Sequence, residues 1–263
     1  MITVKDVERK LYEWAPRSYA MDWDNVGLLC GRENREVRRI LVALDPFLHV
    51  CREAYEEKAD LLVTHHPLIF APAKSVTDRD TVGKSIMFLA QHDISAINAH
   101  TNLDQAVGGV NDRLAQVLGL QDPEVIAPCG TDEQGMPWGL LRMGTVEVTD
   151  ISDFAARVKE CLHCPGLRYV SGGKPVQRVA VGGGACGDEM REVLESGCDT
   201  FVTADIKYNQ FWTACDLGLN LIDAGHFETE NPICEVLAAY LRDAFPEVEV
   251  AVSKSHGDPV QFL

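Results

Sequence analysis

The sequence predicts an α/β fold in two lobes. Short apolar runs alternate with helical stretches along most of the chain, the pattern of a largely parallel sheet covered by helices. A stretch rich in Asp, Pro and Gly interrupts this alternation at residues 121–139, and the alternation resumes beyond it. Histidines and carboxylates then gather directly after the apolar runs, at the strand ends where open α/β sheets bind their ligands.

Taken in order, residues 39–44 (RILVAL) read as a buried strand, and a helix over 50–58 follows. Residues 59–64 (ADLLVT) give a second strand, 81–92 a helix and 94–98 a third strand. The stretch 107–118 reads as a helix, with Gly119 as its stop signal. Past the interruption come a strand at 140–148, a helix at 151–162, a strand at 178–181 and a helix at 188–196. Strands at 200–204 and 219–223 precede a final helix running to Phe245. The expected division is a first lobe over 1–126, with ligands at its strand ends, and a second lobe over 127–221. The segment 222–263 supplies His226 and Glu230; periodicity leaves its helix to either lobe, and a return to the first is the preferred reading.

Composition excludes several classes. The 263 residues are 46% hydrophobic and 24% charged, enough apolar material for a core, which rules out disorder or a small disulfide scaffold. A formal charge of −16 repels phosphate backbones, so neither general nucleic-acid binding nor docking on an anionic membrane is expected. Apolar runs such as 61–63 and 179–181 fall far short of the ~18–20 residues of a spanning helix. The first sixteen residues carry charges throughout and lack the apolar stretch of a signal peptide. Nine scattered cysteines read as free thiols in a reducing compartment, and the expected location is cytoplasmic.

Chemistry concentrates in three segments. VTHHPLIF puts His65 and His66 just past a strand, and Pro67 excludes helix for His66. Both imidazoles could face one cavity, serve two neighbouring ions, or be a hydrogen-bonded surface pair. NAHTNLD puts His100 and Asp104 at an equivalent strand end. DAGHFETE carries His226 and Glu230, four residues apart: one helical face, or a loop histidine ahead of a helix that starts near Pro232. With His49 near the first strand end, five of the eight histidines lie in these places. Mixed nitrogen and oxygen donors suit Zn, Fe, Mn, Ni or Co better than Ca or Mg. Five or six such ligands exceed one tetrahedral ion, which points to a pair bridged by a carboxylate.

Five segments carry a resemblance: WDNVGLLCG (23–31), ADLLVTHHPLIF (59–70), HTNLD (100–104), GGVND (108–112) and DAGHFETE (223–230). Together they resemble the signature segments of the NIF-three-like family, whose bacterial members carry the name GTP cyclohydrolase 1 type 2 homologue. The resemblance implies two α/β lobes, three-layered with mixed sheets, and a metal site in the cleft between them. It also implies two divalent ions per chain and assembly as a toroidal homohexamer. Carried across, the metal ligands are His65, His66, Asp104, His226 and Glu230. Glu230 is the bridging carboxylate, and His100 stands close enough to support the ligands or to transfer a proton, as a candidate general acid or base. Two departures stand out: GMPWG (135–139) where a Gly-x-Gly-Arg-like turn is usual, and Asn209 where a His is usual. Both bear on the second lobe and leave the metal set untouched.

Other motifs read more plainly. GGGACG (182–187) satisfies G-x-G-x-x-G between a strand and a helix, but a tight glycine turn is its commoner meaning than a phosphate cradle. Cys161, His163 and Cys164 lack a second ligand pair and read as an amphipathic helix end. Trp23 and Asp24 fix a turn, and Asp45 ends the first strand within reach of the site. Two functions follow from different classes. One is a metal-dependent hydrolase of a small substrate, with a nucleotide or pterin-like compound as the candidate. The alternative is a non-enzymatic metal-binding scaffold, metal chaperone or regulatory interaction protein.

Overall fold

The apolar runs around 40, 62 and 97 become neighbouring strands in the computed structural model, which describes residues 1–263. Helix α1 (Val4–Trp14) comes first, started by a capping box in which Thr3 and Asp6 bond each other's backbone N–H. Then come β1 (Gly27–Cys30), β2 (Arg39–Ala43), α2 (Leu48–Glu56), β3 (Leu61–Thr64), α3 (Thr81–Gln91), β4 (Ser95–Asn98) and the short helix α4 (Thr101–Gln105). Next are α5 (Val110–Val117), β5 (Gln121–Ile126), the small hairpin β6 (Gly130–Thr131) and β7 (Pro137–Trp138), β8 (Leu141–Thr149) and α6 (Ile151–Cys161). The chain continues through β9 (Arg168–Val170), β10 (Val176–Val181), α7 (Met190–Glu195), β11 (Thr200–Thr203) and α8 (Tyr208–Leu217). It ends with β12 (Asn220–Asp223), α9 (His226–Glu230), α10 (Pro232–Ala244) and β13 (Glu249–Val252).

Two units result: residues 1–106 with 233–257, and 107–232 with 258–263. The first unit gives way to the second between Ala106 and Val107, ahead of α5, and β5, which ends at the expected junction of 126 and 127, pairs with β8 inside the second sheet. Only part of 222–263 joins the first unit. Residues up to Pro232 stay with the second, and β13 then pairs in parallel with β2.

In the first unit the strand order is β1-β4-β3-β2-β13, parallel except for β1. Consecutive residues of β3, from Leu61 to Val63, are all buried, so both faces of the sheet are covered. One face packs Leu41, Ala43, Leu62 and Ala96 against Val50, Cys51, Ala54 and Leu89 of α2 and α3. Helices α1 and α10 meet through Trp14 and Tyr240, whose rings are 4.7 Å apart.

The second unit has the order β5-β8-β10-β11-β12-β9, with β10, β11 and β12 parallel and the flanking strands antiparallel. Alternation along the strands sorts its two cores. Val179, Val181, Val202 and Ile222 meet Leu114 of α5 and Phe154 and Val158 of α6. Ala180, Phe201 and Leu221 meet Met190 and Val193 of α7 and Ala214 of α8. This is the expected α/β class with mixed sheets. No helix is long and apolar enough to cross a membrane, and all nine cysteines are free thiols.

Candidate metal centre

In the first unit, parallel strands β2, β3 and β4 end side by side. Just past those ends lie Asp45, the His65–His66 pair and His100. The backbone of the pair continues the ladder: His65 and His66 donate their N–H groups to Ala43 O (3.3 Å) and Leu44 O (2.9 Å). Thr64 Oγ1 then donates to the His66 carbonyl at 2.7 Å, closing the turn before Pro67. The imidazole rings of His65, His66 and His100 lie 5.0 to 5.6 Å apart, and one nitrogen of each falls within 4.8 Å of the others.

Each ring is gripped through Nδ1. His65 Nδ1 sits 2.9 Å from the Ala99 carbonyl, His66 Nδ1 2.7 Å from Asp45 Oδ1, and His100 Nδ1 2.8 Å from Asp24 Oδ1. A carbonyl oxygen can only accept, so His65 donates from Nδ1, and in the neutral tautomer this leaves the lone pair on Nε2. That Nε2 lies 3.5 Å from Asp104 Oδ1, and both residues are buried. An imidazole nitrogen and a carboxylate oxygen thus lie close together away from water, a donor set that suits a divalent transition metal. Fixing the tautomer of a histidine through an acceptor on its far nitrogen is how metal-ligating histidines are oriented.

The supporting groups are equally constrained. Burial would push the Asp24 carboxyl up, but hydrogen bonds from His100 and Thr101 outweigh it and hold the group at about 2. Thr101 contributes both its N–H and its hydroxyl to Asp24 Oδ2. Asn102, wholly buried, accepts from the His100 N–H (2.9 Å) and donates to the Ala15 carbonyl (2.7 Å), which sets the turn that places Asp104 on α4.

The second unit repeats the strand-end logic. Past β10, β11 and β12 come the Gly182–Gly184 turn, Asp205 and the His226–Glu230 segment. The two readings of DAGHFETE resolve in favour of a helix: α9 puts His226 and Glu230 one turn apart, with His226 Nε2 3.1 Å from Glu230 Oε2. Asp205 holds His226 Nδ1 at 2.7 Å from a left-handed backbone conformation (φ +54°), one that Asp tolerates better than most residues. Glu230 is 3% exposed. Thr229 ties the parts together. Its hydroxyl donates to the Gly225 carbonyl (2.9 Å) and accepts from the Gly184 N–H (3.0 Å).

That glycine turn is not a phosphate cradle. The N–H groups of Gly183, Gly184 and Cys186 are taken by Asn111, Thr229 and Thr203 at 2.7 to 3.1 Å. Its glycines serve close approach instead: a Cβ on Gly184 would sit 2.2 Å from Glu230 Oε1 and 3.1 Å from His226 Nε2.

Within single units, then, the structure gathers His65, His66, His100 and Asp104 in the first and His226 and Glu230 in the second. His100 joins the imidazole cluster itself. His49 lies in the first turn of α2 with its ring stacked on Phe47, outside the cluster. Cys164 donates to the Ala224 carbonyl from a buried thiol pushed up to about 12 by desolvation, and Cys161 packs at the edge of a core, so CLHC is structural. Sequence reasoning missed Asp205. The signal was there: a carboxylate just past a strand, as at Asp45.

The sequence profile of the Duf34/NIF3 family (NGG1p interacting factor 3) matches residues 2–259. The chain belongs to this family. Among its NIF3 relatives, a Clostridium perfringens protein named GTP cyclohydrolase 1 type 2 homolog is 30% identical over 99% of both chains. A Streptomyces coelicolor protein of the same name is 36% identical over 93% of this chain and 88% of its own. In three dimensions the fold is similar to that of a Bacillus cereus protein related to NIF3, with a TM-score of 0.93 at 26% identity, covering 100% and 99% of the two chains. A Staphylococcus aureus protein superposes with a TM-score of 0.92 at 32% identity over 99% of each chain.

Proposed function

We propose that this NIF3-family chain binds a pair of divalent transition-metal ions through His65, His66, Asp104, His226 and Glu230 and uses them to hydrolyse a small molecule. The observation that carries the reading is the uniform grip on Nδ1. Ala99, Asp45, Asp24 and Asp205 each hold one imidazole through that atom, and the Nε2 atoms of His65 and His226 are turned toward carboxylate oxygens. Imidazole and carboxylate donors fit Zn, Fe, Mn, Ni or Co. Glu230, with two oxygens, suits the role of bridge.

When bound, such ions lower the pKa of water and offset negative charge that develops on an attacked centre. The chain's own groups do the rest. Asp45 and Asp205 orient His66 and His226, and the Asp24 carboxylate fixes the His100 proton on Nδ1. His100 Nε2 is then able to take a proton from, or return one to, a reacting group. The name shared by the relatives suggests a purine nucleotide such as GTP as the substrate to try first. The homohexamer and the cytoplasmic setting belong to the same reading.

Elemental analysis after purification without added metal tests it, on wild type and on His66→Ala. About two ions per wild-type chain, reduced in the variant, is the expected result. A wild type that stays metal-free and takes up none of Zn, Mn, Fe, Co or Ni overturns the proposal. Two ions without turnover of any nucleotide would move the chain to the class of metal scaffolds or chaperones. Size measurement in solution checks the hexamer.

A further inference from the structure

Two large aromatic side chains stand exposed beside the histidine cluster of the first unit. Trp23 is 61% and Phe70 56% exposed. Their rings lie 5.7 Å apart at 61°, and each approaches His100 edge-on, Trp23 at 6.2 Å and Phe70 at 6.3 Å. The three rings thus line one corner, with much of the Trp23 and Phe70 surface open to water.

These exposed rings are not on slack chain. The Trp23 turn is closed by Asp24 N–H donating to the Met21 carbonyl and by Met21 N–H donating to Thr101 Oγ1, both at 2.9 Å. Asn25 next to it reaches across with its side-chain amide to the Ile69 carbonyl at 2.7 Å, fixing the residue before Phe70. Asn98 Nδ2 holds the Asn25 carbonyl at 3.1 Å. Through Asp24, the same short stretch also anchors His100. A network of backbone and amide bonds therefore sets both rings relative to one another and to the imidazole. Such pre-arrangement removes ordering cost when something binds.

We infer that Trp23 and Phe70 are a stacking platform for the planar nitrogen-heterocyclic ring, purine or pterin-like, of the molecule handled at this site. The inference rests on the metal-site reading and names the substrate class for it. Charge and area favour such an occupant over a protein. The chain is acidic, −16 in all, so anionic or neutral ligands gain little from its general field, whereas ring-on-ring contact needs no charge. Two large aromatic side chains followed by the exposed stretch 71–80, which adds only Val76 as a large apolar group, fall well short of the roughly 20–30 residues a side of a specific protein interface. Edge-on contact with His100 would bring the stacked ring within reach of the one imidazole assigned to proton transfer.

Titration calorimetry and saturation-transfer NMR with guanosine, adenosine and ribose, on protein loaded with zinc, provide the test. Both nucleosides should bind, ribose should not, and saturation should reach the base protons in preference to the sugar. Trp23→Leu and Phe70→Leu should each weaken nucleoside binding about tenfold, equivalent to about 1.4 kcal/mol. Trp23→Phe should retain most of it, which a merely structural role would not require. All variants should keep the wild-type zinc content, so failure here is separable from failure of the metal reading. Absence of nucleoside binding to zinc-loaded wild type overturns the proposal. So does equal binding by the leucine variants, or a change in oligomer size in those variants without any nucleoside effect, which would make the pair a subunit contact.

Discussion

Replacing Gly184 by Ala separates two costs that the structure makes calculable. The residue has φ +64°, and an added Cβ would lie 2.2 Å from Glu230 Oε1. An L residue in the left-handed region loses ~1–2 kcal/mol. Ordinary contact is at ~3.5 Å, so the carboxylate must also retreat by about 1 Å. Glu230 is buried and the neighbouring Gly183 closes on its Cγ, with a Cβ there falling 3.2 Å away, so the retreat means turning the carboxylate off its present line with His226. Changes to groups that merely orient ligands cost ~10–100-fold in metal affinity. Displacing a ligand should cost at least as much. Gly197→Ala is the control: it has φ +79° and nothing within 4 Å of the new Cβ, so it carries the backbone cost alone. Both variants should melt about 2–4 °C lower per kcal/mol lost, and only Gly184→Ala should lose zinc in competition with a chromogenic chelator. Equal zinc affinity in the two variants would refute the placement of Glu230 in a metal site.

Three further outcomes follow from other parts of the chain. Glu53 accepts from Lys254 N–H (2.7 Å), from the Ser255 N–H and hydroxyl, and from the Ser253 hydroxyl, tying the segment after β13 to α2. Burial would raise its carboxyl, but these bonds outweigh it and lower the folded pKa, so the stabilisation is present above the unfolded value of ~4.3 and fades as pH falls through the folded one. Glu53→Gln should therefore cost about 1–2 kcal/mol in urea unfolding at pH 7, and the gap from wild type should narrow below pH 4. Asp24→Asn should leave the fold intact and move the His100 proton off Nδ1, visible as a changed pattern of imidazole nitrogen shifts; an unchanged pattern would remove Asp24 as the group that sets the tautomer. Arg142 is 1% exposed and paired by two bonds to Asp112 at 2.6 and 3.0 Å, so Asp112→Ala should strand a buried guanidinium and cost about 3–5 kcal/mol by urea unfolding.

The central strands were legible because continuous apolar runs such as residues 61–63 leave little choice of structure. The strand-end histidines were legible for the same reason, since the strand fixes where the chemistry must fall. Edge strands were not. β5 begins QDPE and is exposed over most of its length, with nothing in its pattern to distinguish it from loop, so the first strand of the second sheet went unread. β13 has half-buried valines between exposed residues, and its role depends wholly on finding β2, far away in sequence. The short helix α4 was hidden inside NAHTNLD, where only the tertiary bonds of Asn102 and Thr101 make a helical turn of it. Asp205 escaped notice because the partner that gives it meaning, His226, belongs to another strand end.

The pairing of β13 with β2 sets a schedule for synthesis. Strand β2 has β3 on one side almost as soon as both are made, but the other edge waits for β13, far later in the sequence. At ~5–20 residues per second, that edge stays open for roughly 10–40 s while most of the second unit is translated in between. During this interval a bare apolar strand is available to any other nascent chain with an extended segment. A chain cut short ahead of β13 would leave β2 as an open edge of the first sheet. Synonymous codon choice over the last stretch, and chaperone access during it, should therefore weigh more on the yield of this protein than changes of the same kind near its start.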